Sequence, residues 1–319
     1  MRQGNTLSDD KFSGYKFDYI ISNPPFGIPW KREEKEVEAE FKKGTAGRFA
    51  PGLPAKGDGQ LLFMLNGLAK LKDDGQMAII QNGSSLFNGD AGSGPSEIRR
   101  YLIENDWLDA IVQLPNNAFY NTGIATYIWL VMKNKPVTHQ GKVQLIDASN
   151  CASSRRKNIG LKNVDITKAC RDLIVKAYGA YVDETYKGIE ENGNAIIVKS
   201  KVMDSVDLGY NKIVVETPQF DENGNVMMKK NKLMVDTSKR DTENVPLAED
   251  IDAYFEREVI PYNPHAWVDK SKTKVGYEIP FTRTFYEYKK IEPSGVIAAR
   301  IEEHEKGLMA KLHELFGGE

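Results

Sequence analysis

The chain has 319 residues, of which 40% are hydrophobic, enough for a substantial core, and its formal net charge at pH 7 is −2. A nearly neutral chain has no overall positive field, so tight nonspecific DNA binding by this chain alone is not expected. Two cysteines and four scattered histidines give neither a disulfide framework nor a metal-ligand spacing. No apolar stretch reaches the length of a membrane span, so we expect a cytoplasmic protein with no metal and no membrane contact.

The first predicted strand is the apolar run from Phe17 to Ser22, and Asn23-Pro24-Pro25-Phe26 follows it directly. A charge-rich segment over 31–43 predicts a helix with a solvated face. The glycine- and proline-rich stretch 44–59 predicts a long loop beside this motif. It is a candidate for ordering on DNA binding, with a disordered connector as the alternative.

Two helix–strand units come next. Apolar residues over 61–69 keep one helical face, and residues 73–75 are expected to end that helix before a strand over 76–81. Ser96 is a plausible N-cap for a helix to about Asn105, followed by a strand over 108–114. Two further strands, over 126–132 and 143–148, are expected to pair at the edge of the sheet. This alternation predicts an α/β fold built on a doubly wound sheet.

The periodicity weakens after residue 150. A helix over 166–175, short strands over 196–198 and 212–216, and a helix over 247–259 are predicted. A last helix after Pro293 places its apolar residues on one narrow stripe, which comprises Ile297, Ile301, Leu308, Leu312 and Leu315. We expect three parts: a main domain over 1–150, an irregular α+β region over 151–245, and a helical segment over 246–319 whose apolar stripe either docks a partner or packs on its own domain.

The tetrapeptide Asn23-Pro24-Pro25-Phe26 is suited to the methylation of an exocyclic amine. The Asn23 side-chain carbonyl and the Pro24 backbone carbonyl can each accept one amine proton, which turns the lone pair of the nitrogen toward a methyl donor. Pro25 fixes the turn, and Phe26 offers a flat face for a base extruded from a duplex. The alternative is a plain turn that closes a strand, since Asn and Pro are common turn residues.

A second loop, over 115–122, follows a later strand and is expected at the same edge of the sheet. Phe119 in this loop is a candidate for contact with the extruded base. A role for Phe119 as the buried anchor of its own loop is an equal alternative.

The chain resembles the modification (methyltransferase) subunit of type I restriction-modification systems, a family of adenine-N6 DNA methyltransferases. The resemblance rests on seven stretches of sequence, which are FDYIISNPPFG at 17–27, DGQLLFMLNGLAKL at 58–71, EIRRYL at 97–102, DAIVQLPNNAFYNTGI at 109–124, DLGYNKIVVETP at 207–218, ENVPLAED at 243–250 and GYEIPFTRTFY at 276–286. The later stretches distinguish this family from other methyltransferases with the same tetrapeptide.

The resemblance implies S-adenosylmethionine as the cofactor, with Asn5 and Asn23 near it. It also implies DNA, a DNA-specificity subunit and a restriction subunit as partners, with a second modification subunit as a further candidate. The family's Gly-rich cofactor loop and the first strands of its Rossmann-like sheet have no counterpart here, so we expect the C-terminal part of such a subunit with an incomplete cofactor site. The glycines at 89, 92 and 94 follow the wrong strand and are better explained as a flexible loop.

The expected function is transfer of a methyl group to adenine N6 at a specific DNA site, with catalytic roles for Asn23, Pro24, Pro25 and Phe26. Two alternatives stay open. The chain is a non-catalytic scaffold that binds a specificity subunit, or it methylates RNA or protein.

Overall fold

The structure of the chain is a computed structural model that describes residues 2–120, 122–190, 193–230, 232–288 and 291–316. Asn121, which belongs to the predicted second loop, lies outside these residues. The chain divides into two compact units, Met1–Thr284 and Phe285–Glu319.

The strands are β1 Phe17–Ser22, β2 Leu71–Asn82, β3 Leu108–Gln113, β4 Thr126–Met132, β5 Lys142–Asp147, β6 Ser153–Ile159, β7 Lys162–Asp165, β8 Glu184–Ile189, β9 Ala195–Asp204, β10 Gly209–Glu216, β11 Met228–Lys229, β12 Lys232–Leu233, β13 Asp241–Pro246, β14 Trp267–Val268 and β15 Lys274–Tyr277. The helices are α1 Glu34–Phe41, α2 Gln60–Lys70, α3 Ser84–Phe87, α4 Gly94–Glu104, α5 Lys168–Ala180, α6 Ile251–Glu258, α7 Phe281–Thr284 and α8 Ser294–Phe316.

The main sheet has seven strands in the order β1-β2-β4-β3-β5-β9-β8. β1, β2, β3 and β5 run parallel to one another, whereas β4 and β9 run antiparallel to their neighbours. The sheet is mixed, because two of its six pairings are parallel and four are antiparallel. Its central strands are buried, and buried strands need helices on the faces of the sheet. The predicted α/β class is confirmed.

The two faces of the sheet carry different helices. Met77 pairs with Val131 and Ala78 pairs with Leu130, so the odd-numbered residues of β2 and β4 share one face and the even-numbered residues share the other. α2 lies on the odd face, where a Cβ atom on Gly67 would come within 2.4 Å of the Met77 sulfur. α5 packs on the even face at the opposite end of the sheet, over β5, β8 and β9. Helices therefore lie on both faces of the sheet, as in a doubly wound sheet, although α5 covers the even face only at the end formed by β5, β9 and β8.

The predicted pairing of the strands at 126–132 and 143–148 is wrong. β4 lies between β2 and β3, and β5 lies between β3 and β9. The fully buried strand β3 takes the position between them, because both of its faces are apolar and need cover.

Two predicted helix ends also differ from the structure. α2 ends at Lys70, and β2 begins at Leu71, so residues 73–75 lie inside an irregular start of the strand. α4 begins at Gly94 with Ser93 in the N-cap position. Ser96 lies inside the helix, where its hydroxyl accepts a hydrogen bond from the Tyr277 backbone N–H at 3.0 Å. The predicted N-cap Ser96 is therefore wrong, because this residue hydrogen-bonds to a distant strand instead of capping the helix.

Arg99 on α4 ties the later strands to the main sheet. Its buried guanidinium donates to the backbone carbonyls of Tyr277 at 2.6 Å, Asn88 at 2.9 Å and Ser85 at 3.1 Å. Burial away from water lowers the pKa of Arg99 to about 10. Tyr277 ends β15, which pairs with β10, so this contact joins the second sheet (β13-β10-β14, with β15) to the first.

The compact units divide the chain at a different place from the three predicted parts. The main sheet continues past residue 150 into β9 and β8, and the first unit extends to Thr284. Only residues 285–319, with α8, form the second unit. The apolar stripe of α8 is exposed along its length.

Candidate active site

The Asn-Pro-Pro-Phe motif lies at the carboxyl edge of the main sheet. It follows β1 directly, and the ends of β2, β3 and β5 lie along the same edge because these strands run parallel. Ligands of doubly wound sheets bind outside the carboxyl ends of the strands. The motif therefore lies where such a fold places a reacting group.

The side chain of Asn23 is exposed, Pro24 is buried and Phe26 is half-buried. In the described part of the chain, neither the Asn23 carboxamide nor the Pro24 carbonyl has a hydrogen-bond partner. A turn that only closed a strand would be expected to use these acceptors locally. Two free acceptors and one aromatic face are what orientation of an exocyclic amine requires.

A second segment holds the motif loop in place. The Trp30 N–H donates to the Lys56 carbonyl and the Gly59 N–H donates to the Ile28 carbonyl, each at 3.1 Å. The buried indole of Trp30 donates to the Ala55 carbonyl at 3.0 Å. The loop after Phe26 is therefore fixed against residues 55–59.

Gln60, a residue that the sequence analysis missed, links this clamp to the end of β2. Its side-chain nitrogen lies 2.8 Å from Asp58 Oδ2, 2.7 Å from Asn82 Oδ1 and 2.6 Å from Ser84 Oγ. Its side-chain oxygen accepts the Asn82 backbone N–H at 3.0 Å. The polar pairs Asp58/Gln60 and Asn82/Ser84 lie at the start of α2 and at the end of β2. Their polar character next to apolar runs is the feature of the sequence that could have indicated them. We call these four residues the Gln60 network.

The glycine-rich segment 44–59 is packed against the body of the protein. Phe49 is fully buried. The Arg48 guanidinium donates to Glu40 and, at 2.8 Å, to Asn66 Oδ1, and also binds the carbonyls of Thr6 and Leu7. The alternative of a disordered connector is therefore wrong, and any movement on DNA binding starts from a packed segment.

Phe119 lies at the same edge of the sheet but three strands from the motif. β2 and β4 separate β1 from β3, which places the two strand axes about 14 Å apart at a spacing of about 4.8 Å per strand. Phe119 is half-buried and packs against the apolar cluster under α5. This packing supports the alternative of a loop anchor, and contact of Phe119 with a base stays a prediction.

The described residues fit the amine-orienting half of a methyltransferase site, and the two predicted cofactor contacts, Asn5 and Asn23, differ in their surroundings. The Asn5 carboxamide is already bonded, because its oxygen accepts the Leu7 N–H at 2.9 Å and its nitrogen donates to Glu33 at 2.7 Å. β1, the strand that precedes Asn23, is the edge strand of the sheet. No further strand of the described residues lies on its outer side.

The predicted flexible glycine loop has a packing role. Gly94 begins α4, and a Cβ atom there would lie 1.9 Å from the Leu53 carbonyl oxygen. Only glycine allows the two backbones to approach so closely. Gly94 is thus required by packing against the 44–59 segment, whereas Gly89 and Gly92 have positive φ angles of 90° and 75°.

A cavity of about 530 Å³ lies at the opposite, amino edge of the sheet, between the end of α2 and Trp107. Its position excludes it from chemistry at Asn23. No three His, Cys, Asp or Glu side chains gather as metal ligands within the described ranges. None of the helices in these ranges is long and apolar enough to cross a membrane.

Comparison with known proteins shows which proteins this chain is similar to. Residues 1–205 match the model of the family "N-6 DNA Methylase". A methylase subunit of the type I restriction enzyme MjaIX from Methanocaldococcus jannaschii is 30% identical over 162 residues, which cover 50% of this chain and 28% of the relative. The corresponding MpnII subunit from Mycoplasma pneumoniae is 33% identical over 154 residues, which cover 48% of this chain and 26% of the relative.

A solved structure shows the same fold over much of the chain. The methyltransferase subunit of a type I restriction-modification system from Streptococcus thermophilus superposes with a TM-score of 0.50 at 26% identity, covering 64% of this chain and 38% of that one. The matched regions span only about a quarter to two fifths of these relatives. The family model matches residues 1–205, which are well over half of this chain and include the strand that carries the motif. The chain therefore belongs to the N-6 DNA methylase family.

Proposed function

We propose that this chain provides the amine-orienting part of a type I modification subunit, which methylates adenine N6 at a specific DNA site. One observation carries the proposal: the Asn23 carboxamide and the Pro24 carbonyl stand free at the carboxyl end of a parallel strand. S-adenosylmethionine supplies the methyl group in this chemistry. The chain acts in the cytoplasm with its DNA.

The residues of the motif have separate tasks. Asn23 Oδ1 and the Pro24 carbonyl each accept one proton of the adenine amine, which directs the nitrogen lone pair away from the ring plane. The amine loses its proton only as the new bond forms, so no strong base is required first. Burial of Pro24 and the clamp at Trp30 keep the backbone of the motif in place, and fixed geometry of reacting groups contributes much of a rate enhancement.

Phe26 is the stacking partner of the extruded base. The Phe26 side chain is half-buried, so part of it is accessible to a base. Stacking on an aromatic side chain is worth about 1–3 kcal/mol per base, which offsets part of the cost of unstacking. Phe119 lies on the loop after β3, which β2 and β4 separate from β1. This residue contacts the base or its neighbour only if that loop moves toward β1.

Substitution of Asn23 tests the proposal in the complete methylase. Asn23→Ala should lower the methylation rate at least 100-fold, because a removed hydrogen-bond partner of the reacting group costs about that much. The melting temperature should not change, since the side chain is exposed. The control Asn105→Ala, at the exposed end of α4, should keep full activity. Undiminished methylation by Asn23→Ala would refute the assignment of this residue. If RNA or protein outcompetes DNA in the same assay, the proposed substrate is wrong and the better competitor is the substrate.

A second role, which does not require catalysis, is supported by α8. Its apolar stripe is exposed, with Ile301 at 54% and Leu308 at 62% exposure. Exposed apolar residues at helical spacing are typical of a helix that docks into a partner's groove. We propose that this helix binds the DNA-specificity subunit, and that the restriction subunit and a second modification subunit join through that assembly.

A further inference from the structure

A β-hairpin that takes no part in the candidate site lies at the carboxyl edge of the main sheet. Its strands are β6 Ser153–Ile159 and β7 Lys162–Asp165, and Gly160, with a φ of 59°, lies at its tip. β6 begins six residues after β5 ends at Asp147. Because the carboxyl ends of β1 and β5 lie along the same edge, the hairpin leaves the sheet on the side of the Asn-Pro-Pro-Phe motif.

The loop after β3 holds the hairpin through β7. The Leu161 N–H donates to the Tyr120 carbonyl at 2.9 Å, and the Asn163 N–H donates to the Asn117 carbonyl at 3.3 Å. The Asn117 side-chain nitrogen donates to the Leu161 carbonyl at 2.9 Å. β7 therefore lies between this loop and β6, and in the described part of the chain β6 pairs with β7 alone. The hairpin is thus fixed on one side and open on the side of β6.

β6 contains a bulge that carries two basic residues. Its pairing with β7 stops after Ser154 and resumes at Ile159, so residues 155–158 lie opposite a single residue of β7. Bulges bend a strand, re-aim its side chains and are common next to active sites. Arg156 and Lys157 lie in the middle of this bulge, and both are exposed.

The hairpin is basic although the net charge of the chain is −2. It contains four basic side chains and one acidic side chain. Two of the basic groups share the acid, because Arg155 donates to Asp165 at 2.5 Å and Lys162 lies 3.1 Å from it. The side chains of Arg156 and Lys157 make no hydrogen bond or ion pair with any residue that the structure describes. The bulge therefore presents two unneutralised positive charges to the solvent.

The spacing along the sheet edge suits a duplex that spans the motif and the hairpin. β1 and β5 are four strand spacings apart, which at about 4.8 Å each places the base of the hairpin about 19 Å from β1. At about 3.4 Å per base pair, this distance corresponds to about six base pairs of DNA. A two-stranded β-ribbon also fits the major groove, which is about 12 Å wide.

We propose that the hairpin is an arm that binds duplex DNA, with Arg156 and Lys157 on phosphates of the DNA that flanks the target adenine. The inference rests on the proposed function, since it takes the substrate DNA as the anion. A nearly neutral chain does not attract DNA over its whole surface, so a local basic arm is what positions the duplex at the motif.

Duplex DNA fits this surface better than a protein partner does. The centres of protein–protein interfaces are depleted of lysine, whereas phosphate contacts are made mainly by arginine and lysine. At the tip of the hairpin, Ile159 is 45% exposed and Leu161 is 55% exposed. Exposed apolar side chains beside basic ones suit a DNA groove, where they contact the methyl group of thymine.

The test uses the complete methylase and a fluorescent duplex of mixed sequence, about 40 base pairs long, with binding followed by anisotropy. Each phosphate contact contributes about 0.9 to the salt slope, so two contacts are worth about 30-fold in affinity at about 0.15 M salt. Arg156→Gln/Lys157→Gln should therefore bind at least tenfold more weakly, with a salt slope smaller by about 1.8. The matched control Lys42→Gln/Lys43→Gln removes two exposed charges near Thr45, which lines the cavity at the amino edge, and should change binding less than twofold.

Methyl transfer and a charge-conserving variant separate a DNA contact from a structural role. Arg156→Gln/Lys157→Gln should raise the KM for DNA at least tenfold and change kcat less than twofold, because the hairpin lies far from Asn23 along the edge. Arg156→Lys/Lys157→Arg should restore the affinity, since a phosphate reads charge and not base identity.

The outcomes distinguish this inference from the proposed function. Binding of the duplex without methyl transfer by the unchanged methylase overturns the proposed function and leaves the arm in place. The inference is overturned if the glutamine variant keeps its affinity and salt slope, or if the charge-conserving variant binds as weakly as the glutamine variant. It is also overturned if size-exclusion chromatography shows that the glutamine variant has lost a protein subunit, because the hairpin then binds a protein.

Discussion

Gln60→Ala should destabilise the first unit by about 1.5–4.5 kcal/mol. The side-chain nitrogen has two hydrogens and therefore satisfies two of its three acceptors at a time, while the oxygen accepts one hydrogen bond. Three hydrogen bonds at about 0.5–1.5 kcal/mol each give this range. The side chain is buried, so water does not replace these partners without a local opening.

Urea unfolding followed by tryptophan fluorescence measures this loss. All four tryptophans, Trp30, Trp107, Trp129 and Trp267, lie in the first unit, so the signal is independent of α8. Ala substitution of Gln140, whose amide makes a single long hydrogen bond of 3.4 Å, is the matched control and should cost less than about 1 kcal/mol. A change below about 0.5 kcal/mol for Gln60→Ala would refute the view that this residue joins the motif clamp to β2.

The isosteric change Gln60→Glu adds a pH signature. It replaces the donating nitrogen by an oxygen that faces Asp58 Oδ2 and Asn82 Oδ1. Repulsion from Asp58 should raise the folded-state pKa of the introduced carboxyl above its unfolded value of about 4.3. A raised acid pKa means that stability is lost as pH rises, so the deficit of the variant should be larger at pH 7 than at pH 4. Equal deficits at both pH values would contradict this electrostatic account.

Two further changes test other parts of the molecule. Glu40→Gln should cost about 1.5–3 kcal/mol at pH 7, because the hydrogen bond from Arg48 lowers the pKa of Glu40 against the opposing effect of burial. A lowered acid pKa gives stability that is present above the unfolded pKa and is lost as pH falls. The unfolding free energies of the unchanged chain and of Glu40→Gln, measured against pH, should therefore converge below about pH 4. A constant difference between them at all pH values would contradict this account. Leu308→Asp should weaken binding of the specificity subunit at least tenfold in a titration, whereas Glu305→Gln on the same helix should change it less than twofold; unchanged binding by Leu308→Asp would remove α8 from the interface.

The local elements of the fold were predictable and their arrangement was not. The apolar run of β1 and the period of 3.6 in α2 are set by residues a few positions apart, and both elements occur where they were predicted. The position of β4 between β2 and β3 depends on pairing between residues about 50 positions apart. No local pattern encodes which two apolar strands become neighbours, so the predicted edge pair was wrong.

The candidate site divides in the same way. Asn23 to Phe26 are consecutive, so their chemistry is legible in the sequence and the structure places them at the expected edge. The Gln60 network joins positions 58 and 60 to positions 82 and 84, on either side of α2 and β2. Each of these polar residues resembles an ordinary helix-start or turn residue when taken alone. Only the tertiary fold shows that they share one set of hydrogen bonds.

The run Phe17 to Ser22 carries a conflict between local pattern and burial. Its continuous apolar character is typical of a strand with neighbours on both sides and helices on both faces. The structure gives it one neighbour, β2, and leaves Ile21 almost fully exposed. Natural edge strands usually carry charged residues that discourage pairing, whereas Asp18 is the only charged residue in this strand and lies near its amino end. The composition of β1 therefore matches an interior strand better than an edge strand.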